Sequence, residues 1–215
     1  MVFRLLQYTL FSTLLFAVLS SVYKFKRIDT PSKILSACLL IGLFTEIIAY
    51  CMARTIHYNV IVYATYSLIE YCMYVAYFHY LNSPLTTTKA MVMGIAGVLF
   101  WSSEILFINH FKNVNSNFLL FEGLMVIGLS LGTFISWQRN EDFLYVHRYP
   151  HFWFVCLLVI FWTITYLSWG VNYYLNKNVQ ELGFIINYTL LIVNIITYLG
   201  IGVVFLLYSK MKVHD

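Results

Sequence analysis

The chain alternates between long apolar runs and short polar stretches, and the polar stretches hold nearly every charged residue. Each run is about 20 residues long, which is the length an α-helix needs to cross the hydrocarbon core of a bilayer. The runs are continuous and do not alternate residue by residue, so they do not fit the strands of a membrane β-barrel. The pattern predicts seven transmembrane helices, at about 5–23, 34–53, 60–80, 90–109, 118–137, 152–170 and 184–208.

Composition agrees with this pattern, because 61% of the 215 residues are hydrophobic and only 10% are charged. Soluble domains are about half apolar and a quarter charged, so this chain could not cover a soluble core of its own size. The spans and their loops fill residues 1–215 and exclude a kinase, nuclease or soluble binding domain. We therefore predict an all-α integral membrane protein with a single domain, a seven-helix transmembrane bundle.

The lysines and arginines predict the orientation of the bundle, because they collect on the cytoplasmic side of short loops. Nine of the 13 lie in the loops after spans 1, 3 and 5 or in the C-terminal tail. This places the N-terminus outside and the C-terminus in the cytoplasm. Lys24, Lys26 and Arg27 follow the first apolar run, whereas a signal peptide has its basic residues before it. We therefore expect an uncleaved first helix.

Four glutamates lie inside predicted spans 2 to 5, one in each: Glu46, Glu70, Glu104 and Glu122. A charged side chain near the bilayer centre costs about 2.5–3.5 kcal/mol, so such residues usually have a function. No Lys or Arg lies inside a span, so each carboxyl must be protonated, hydrated or bound to a cation. At about 1.5 Å of rise per residue, all four lie in the outer half, with Glu70 deepest at about 15 Å. This predicts an acidic cavity that opens to the outside.

Helical spacing identifies the faces that surround these carboxyls. Tyr66 and Tyr74 lie four residues before and after Glu70, so all three share one face of span 3. Span 7 carries Asn187, Asn194, Thr197 and Tyr198 on one side, and asparagine amides can bind carboxyls. We predict a ligand or proton site formed by Glu46, Glu70, Glu104, Glu122, Tyr66, Tyr74, Asn187 and Asn194. The alternative is that neutral glutamates only join neighbouring helices by hydrogen bonds.

Other motifs predict neither a catalytic nor a metal site. Ser130 occupies the centre of a GxSxG pattern, but this pattern activates a serine only at a strand-to-helix turn and here it lies in mid-span. His147 and His151 flank Pro150 in a predicted loop, and we assign them to the membrane interface. The four cysteines lie inside spans without metal-binding spacing. We find no cofactor motif and no basic region of the kind that binds nucleic acid.

Several short segments of the chain resemble segments of a known group of membrane proteins. They are the segment YKFKR at 23–27, Thr45 with Glu46, YSLIE at 66–70, FEG at 121–123, PHFW at 150–153 and Asn194. Through them the chain resembles, over nearly its whole length, a group of small seven-transmembrane inner-membrane proteins that is common in Bacteroidota and functionally uncharacterised. The resemblance implies a multi-pass protein of the inner membrane with a seven-helix fold, and it implies no chemistry.

The spans contain no proline and no enzyme signature, which favours a receptor-like or sensory module. Its cavity would bind a small cationic or amphipathic ligand, or protons. Its partners would be the lipid bilayer and a membrane or cytoplasmic signalling protein or a second copy of the chain. A small proton-coupled transporter is the first alternative. An intramembrane lipid-modifying enzyme, with paired carboxyls as acid and base, and a structural subunit are the others.

Overall fold

A computed structural model describes residues 2–81, 85–111, 115–139, 146–175 and 180–211. Within these ranges the chain is helical and contains no strand. The helices are α1 (Val2–Lys24), α2 (Thr30–Thr55), α3 (Val60–Tyr80), α4 (Thr87–Glu104), α5 (Ser116–Arg139), α6 (Pro150–Leu175) and α7 (Gln180–Leu207). Seven helices in the described residues are long and apolar enough to cross a membrane, which confirms the prediction of seven long apolar helices and is compatible with a multi-pass membrane protein.

Local sequence explains where two of the helices begin. The carboxylate of Asp29 caps α2 by accepting a hydrogen bond from the amide of Ser32 at 3.0 Å, and Pro31 follows in the first turn, where no amide donor is needed. Thr86 caps α4 through the amide of Lys89. Both caps satisfy amides that the helix itself leaves without an acceptor.

The end of α4 differs from the predicted span. The α-helix stops at Glu104 and continues as a π-helical turn over Ile105–Asn109, and His110 then takes a left-handed conformation with φ of 44°. Apolar periodicity does not distinguish a π turn from the end of an α-helix, so the span predicted over 90–109 gives no sign of this turn. The turn leads the chain back toward the start of α5.

The helices differ in how much of their surface is covered. The most extensive contacts join α1 to α7, α2 to α3, and α6 to both α5 and α7, whereas α4 packs less extensively, along α3 and α5. The buried core contains Tyr77, Phe78, Phe118, Phe154 and Phe205, none of them measurably exposed. Large apolar side chains cover the outward faces, as expected for helices in contact with lipid.

Gly42 brings α2 and α3 together beside Glu70. A Cβ at this position would lie 2.9 Å from the hydroxyl oxygen of Tyr66. Only glycine leaves room for that hydroxyl at its present position. The missing side chain thus helps to direct Tyr66 into the bundle.

Candidate functional site

A small cavity lies near the middle of the bundle, lined by α1, α2, α3, α6 and α7. The volume open to the centre of a water-sized sphere in this cavity is about 20 Å³. One water molecule needs about 10–15 Å³ by this measure, whereas pockets for organic ligands are roughly 300–1,000 Å³. Its polar lining consists of Cys38, Tyr66, Glu70, Tyr74, Thr197 and Tyr198. The cavity therefore suits water or a very small ion.

Among the described residues, Glu70 is the only carboxyl that lines this cavity. The hydroxyl of Tyr74 donates to Oε1 of Glu70 at 2.9 Å. The hydroxyls of Tyr66 and Tyr198 lie near enough to interact electrostatically with the same carboxyl. The described part of the chain places no Lys or Arg in the cavity lining. Neutral hydroxyls can stabilise a carboxylate by hydrogen bonding but cannot cancel its charge, so the site can exchange a proton or hold a small cation.

Glu122 on α5 is fully buried, and neither of its carboxyl oxygens has a hydrogen-bond partner among the described residues. It is close enough to Glu70 for their charges to interact. A carboxylate without a donor is unstable in apolar surroundings, and two neighbouring carboxylates repel each other. Glu122 is therefore the partner that stays protonated or binds water, and Glu70, with its hydroxyl donors, is the one that can carry charge.

The other two glutamates lie outside the cavity. The carboxylate of Glu104 accepts hydrogen bonds from the amides of Phe118 at 2.7 Å and Asn117 at 3.3 Å, at the start of α5. A helix N-terminus has free amides and a partial positive charge, so this contact accounts for a buried carboxylate without a ligand. Glu46 accepts a hydrogen bond from the hydroxyl of Tyr63 at 3.2 Å and is half-buried.

The two asparagines predicted to join the site also lie outside the cavity lining. Asn187 is exposed on the outer surface of α7. The side-chain amide of Asn194 donates to the carbonyl of Leu190 in its own helix at 2.8 Å. Thr197 and Tyr198, on the same side of α7, are the residues of this helix that reach the cavity.

A second polar group, which we call the Asp29 cluster, joins the start of α2 to α3, α6 and the end of α7; it comprises Asp29, Ser32, Tyr77, His151 and Tyr208. His151 is completely buried, with Nε2 2.6 Å from Oδ2 of Asp29 and Nδ1 3.1 Å from the hydroxyl of Tyr77. The hydroxyl of Tyr208 lies within hydrogen-bonding distance of Ser32 and of the amide of Asp29. Asp29 is 31% exposed and connects the cluster to solvent.

The electrostatics of this cluster favour an ionised Asp29. Burial acts to raise the pKa of Asp29, but the hydrogen bond and charge of His151, together with hydrogen bonds from Ser32, outweigh it and hold this pKa well below its usual range. Burial and the charge of Asp29 raise the pKa of neighbouring Tyr149 to about 12. At neutral pH the carboxyl is therefore charged and the phenol neutral.

His151 is buried in the first turn of α6, whereas His147 is exposed. Asp29 before Thr30 and Pro31 could have been recognised as a helix cap. The partner that it binds is 122 residues away along the chain. No local pattern indicates such a contact.

The cap formed by Glu104 gives a stability prediction. We expect Glu104→Ala to lower the free energy of unfolding by about 1–3 kcal/mol, because two amides of α5 lose a charged acceptor. Glu104→Gln retains an acceptor oxygen and should lose less. Denaturant unfolding in detergent micelles measures both changes, and a wild-type midpoint for Glu104→Ala would show that the cap contributes nothing.

The described residues of the Glu70 cavity and of the Asp29 cluster do not form a metal site or an activated serine. Among the described residues, no group of three or more His, Cys, Asp or Glu side chains could hold a metal ion. Ser130, at the centre of the GxSxG pattern, donates its hydroxyl to the carbonyl of Val126 within α5. No protein-family model, curated protein or solved structure matches the chain.

Proposed function

We propose that this protein is a multi-pass sensor of the inner membrane, with its N-terminus outside, whose stimulus is the protonation of Glu70. The observation that carries the proposal is a carboxyl at mid-bundle that faces a water-sized cavity and has hydroxyl partners but no cation. A proton with one water molecule fits this space, whereas an amphipathic ligand does not. Of the candidate ligands suggested by the sequence, the proposal therefore keeps a proton or a small monovalent cation.

Ionisation of Glu70 would change the packing of several helices at once. The charge appears where α2, α3, α6 and α7 meet, and its burial costs several kcal/mol unless hydroxyls or water reorient toward it. Conformational states of a protein commonly differ by a few kcal/mol, so this cost can change their populations. Tyr74 carries the effect to α6, because its ring packs edge-on against Trp162 with centroids 6.0 Å apart.

The site in this proposal is smaller than the one predicted from the sequence. Glu70, Tyr66 and Tyr74 form it together with Tyr198, and Glu122 supplies a neighbouring protonated carboxyl. Glu46, Glu104, Asn187 and Asn194 are left to packing, capping or the surface. The bundle would pass its change to a membrane or cytoplasmic partner or to a second copy of the chain.

The test is a pH titration of the tryptophan fluorescence of the purified protein in nanodiscs, with Trp162 as the nearby reporter. We expect a reversible transition in the wild type that is absent in Glu70→Gln, because glutamine keeps the shape of the side chain but cannot ionise. Glu46→Gln is the matched control and should retain the transition. Trp162→Phe should remove most of the signal without removing the titration itself.

Two results would contradict or redirect the proposal. A transition that persists unchanged in Glu70→Gln would exclude Glu70 as the proton site. A transition whose midpoint moves with sodium or potassium concentration, but not with choline, would identify a small cation as the ligand. Each titration therefore needs to be recorded in all three chloride salts.

A small proton-coupled transporter is the second candidate, because polar side chains continue from the cavity region toward the Asp29 cluster. In α2, Ser32 and Ser36 are both buried on the way to Cys38 in the cavity lining. A transporter needs access to its site from both sides of the membrane, whereas a sensor needs access from only one. Proton uptake into sealed proteoliposomes that depends on Glu70 would favour the transporter.

A further inference from the structure

The Asp29 cluster and Glu70 are connected along one face of α3. Tyr74, which donates to Glu70, is one turn from Tyr77, which binds His151. Residues three or four apart on a helix lie side by side, and Tyr77 is about 10 Å along the axis from Glu70. Both tyrosines are buried. A line of polar groups thus leads from the cavity to the end of the bundle where Asp29 is exposed.

The buried polar groups of α1 and α2 support the same connection. The hydroxyl of Ser36 lies 2.8 Å from that of Ser21 of α1, one turn further into the bundle than Ser32 of the Asp29 cluster. Leu35 and Cys38 next to this serine pair already line the cavity. Polar groups therefore continue from the cluster toward the cavity, and bridging water would complete the connection.

His151 has the geometry of a proton relay. One ring nitrogen faces the partly exposed carboxylate of Asp29 and the other faces the buried hydroxyl of Tyr77. An imidazole can accept a proton at one nitrogen and release another from the opposite nitrogen. Both nitrogens are already engaged, so the ring has none left to act on an organic substrate. Transfer along the line is thus the chemistry that this arrangement permits.

We propose that Asp29, His151 and Tyr77 form the port through which Glu70 exchanges protons with one face of the membrane, an inference that rests on the proposed proton site. When the neutral ring of His151 carries its proton on Nδ1, a proton taken up by Asp29 passes to Nε2 while the Nδ1 proton leaves for the oxygen of Tyr77, and the ring must regain the Nδ1 tautomer before the next transfer. The hydroxyl proton of Tyr77 moves on through water to Glu70. Only O–H and N–H bonds form and break, and one proton enters for each one delivered.

Among the described residues, titratable side chains face this route at both ends. Around His151 they are Asp29, Tyr77, Tyr149 and Tyr208. Around Glu70 they are Cys38, Tyr66, Tyr74, Glu122 and Tyr198. The tyrosine hydroxyls and the thiol are neutral, so Asp29, His151 and Glu70 are the groups whose charge changes along the route, and Tyr77 only passes a proton on. Lys24, nearby on α1, binds Ser209.

The orientation predicted from the basic residues places this port on the cytoplasmic side. Asp29 lies in the loop after the first span, between Lys26 and Lys33. The sequence predicts instead that the acidic cavity opens outward. The proposal thus makes the protein a sensor of the pH on the side that holds the Asp29 loop.

The test compares the rate and the midpoint of the Glu70-dependent fluorescence transition after a rapid pH jump in nanodiscs. Tyr77→Phe keeps the ring and removes only the relay hydroxyl. We expect it to slow the transition by about 100-fold, the usual contribution of one positioned proton-transfer group, and to leave the midpoint unchanged. A small weak acid such as azide should restore the rate, because it carries protons to the cavity without the relay.

Tyr71→Phe is the matched control, because Tyr71 is a buried tyrosine of the same helix whose hydroxyl donates to the carbonyl of Met93 instead. It should react at the wild-type rate. A wild-type rate in Tyr77→Phe would overturn the port while leaving the proton site intact. A slow rate that azide does not restore, or a shifted midpoint, would show that Tyr77 only supports the packing. Loss of the transition in the wild type itself would instead remove the proposed function.

Discussion

Replacing His151 with alanine should lower the free energy of unfolding by about 3 kcal/mol. Removal of one partner from a buried ion pair costs about 3–5 kcal/mol, and the lower end applies because Asp29 is 31% exposed. The substitution also leaves the buried hydroxyl of Tyr77 without its partner and opens space between α3 and α6. Denaturant unfolding in detergent micelles, with near-ultraviolet circular dichroism as the signal, measures the change.

A double-mutant cycle with Asp29→Asn separates the ion pair from the packing of the imidazole ring. If His151 and Asp29 stabilise each other, the double variant should be more stable than the sum of the two single changes predicts. Strict additivity would mean that His151 acts only by filling space. Asp29→Asn retains the helix cap, because asparagine is as good a cap as aspartate, so its effect on stability reports mainly the pairing with His151.

The same pair predicts how stability depends on pH. The pKa of Asp29 is lower in the folded protein than in the unfolded chain, so the unfolded chain binds the proton more tightly. This contribution to stability is complete above the unfolded value of about 3.9 and is lost as the pH falls below it toward the native value. We therefore expect the wild type to lose stability in this acid range more steeply than either His151→Ala or Asp29→Asn.

Apolar run length was sufficient to predict the seven helices, because lipid imposes the same requirement on each of them. Helical spacing was sufficient to place Tyr66, Glu70 and Tyr74 on one face, and these residues line the cavity together. Each of these predictions needs the sequence of only one helix. Contacts between helices could not be predicted in this way.

Glu104 and His151 are two residues whose roles could not be predicted from the sequence. Glu104 looks like an intramembrane acid when read along α4, but the chain returns through a π-helical turn and brings the start of α5 onto its carboxylate. His151 looks like a loop residue, but it meets Asp29 from a distant part of the chain. In both cases a tertiary contact supplies the partner that decides the role of the charge, and local periodicity carries no information about it.

The substitution Gly97→Ala in α4 should also be strongly destabilising, by about 1–3 kcal/mol. A Cβ at Gly97 would clash with Cε1 of Tyr71. The ring has little freedom to move away, because it packs against Phe118 and Phe121 and its hydroxyl donates to the carbonyl of Met93. Either α4 must shift away from α3 or Tyr71 must leave its place, and both disturb the start of α5.

Gly94→Ala is the control for this prediction, since it is the same substitution one turn earlier in α4 and no atom lies within 4 Å of the new Cβ. It should be neutral or stabilising by up to about 1 kcal/mol, because alanine favours the helix more than glycine does. Equal stability of the two variants in detergent would contradict the close approach of α3 and α4 at Gly97. Combining Gly97→Ala with Tyr71→Ala should recover part of the loss, because the smaller side chain removes the clash while leaving a cavity of its own.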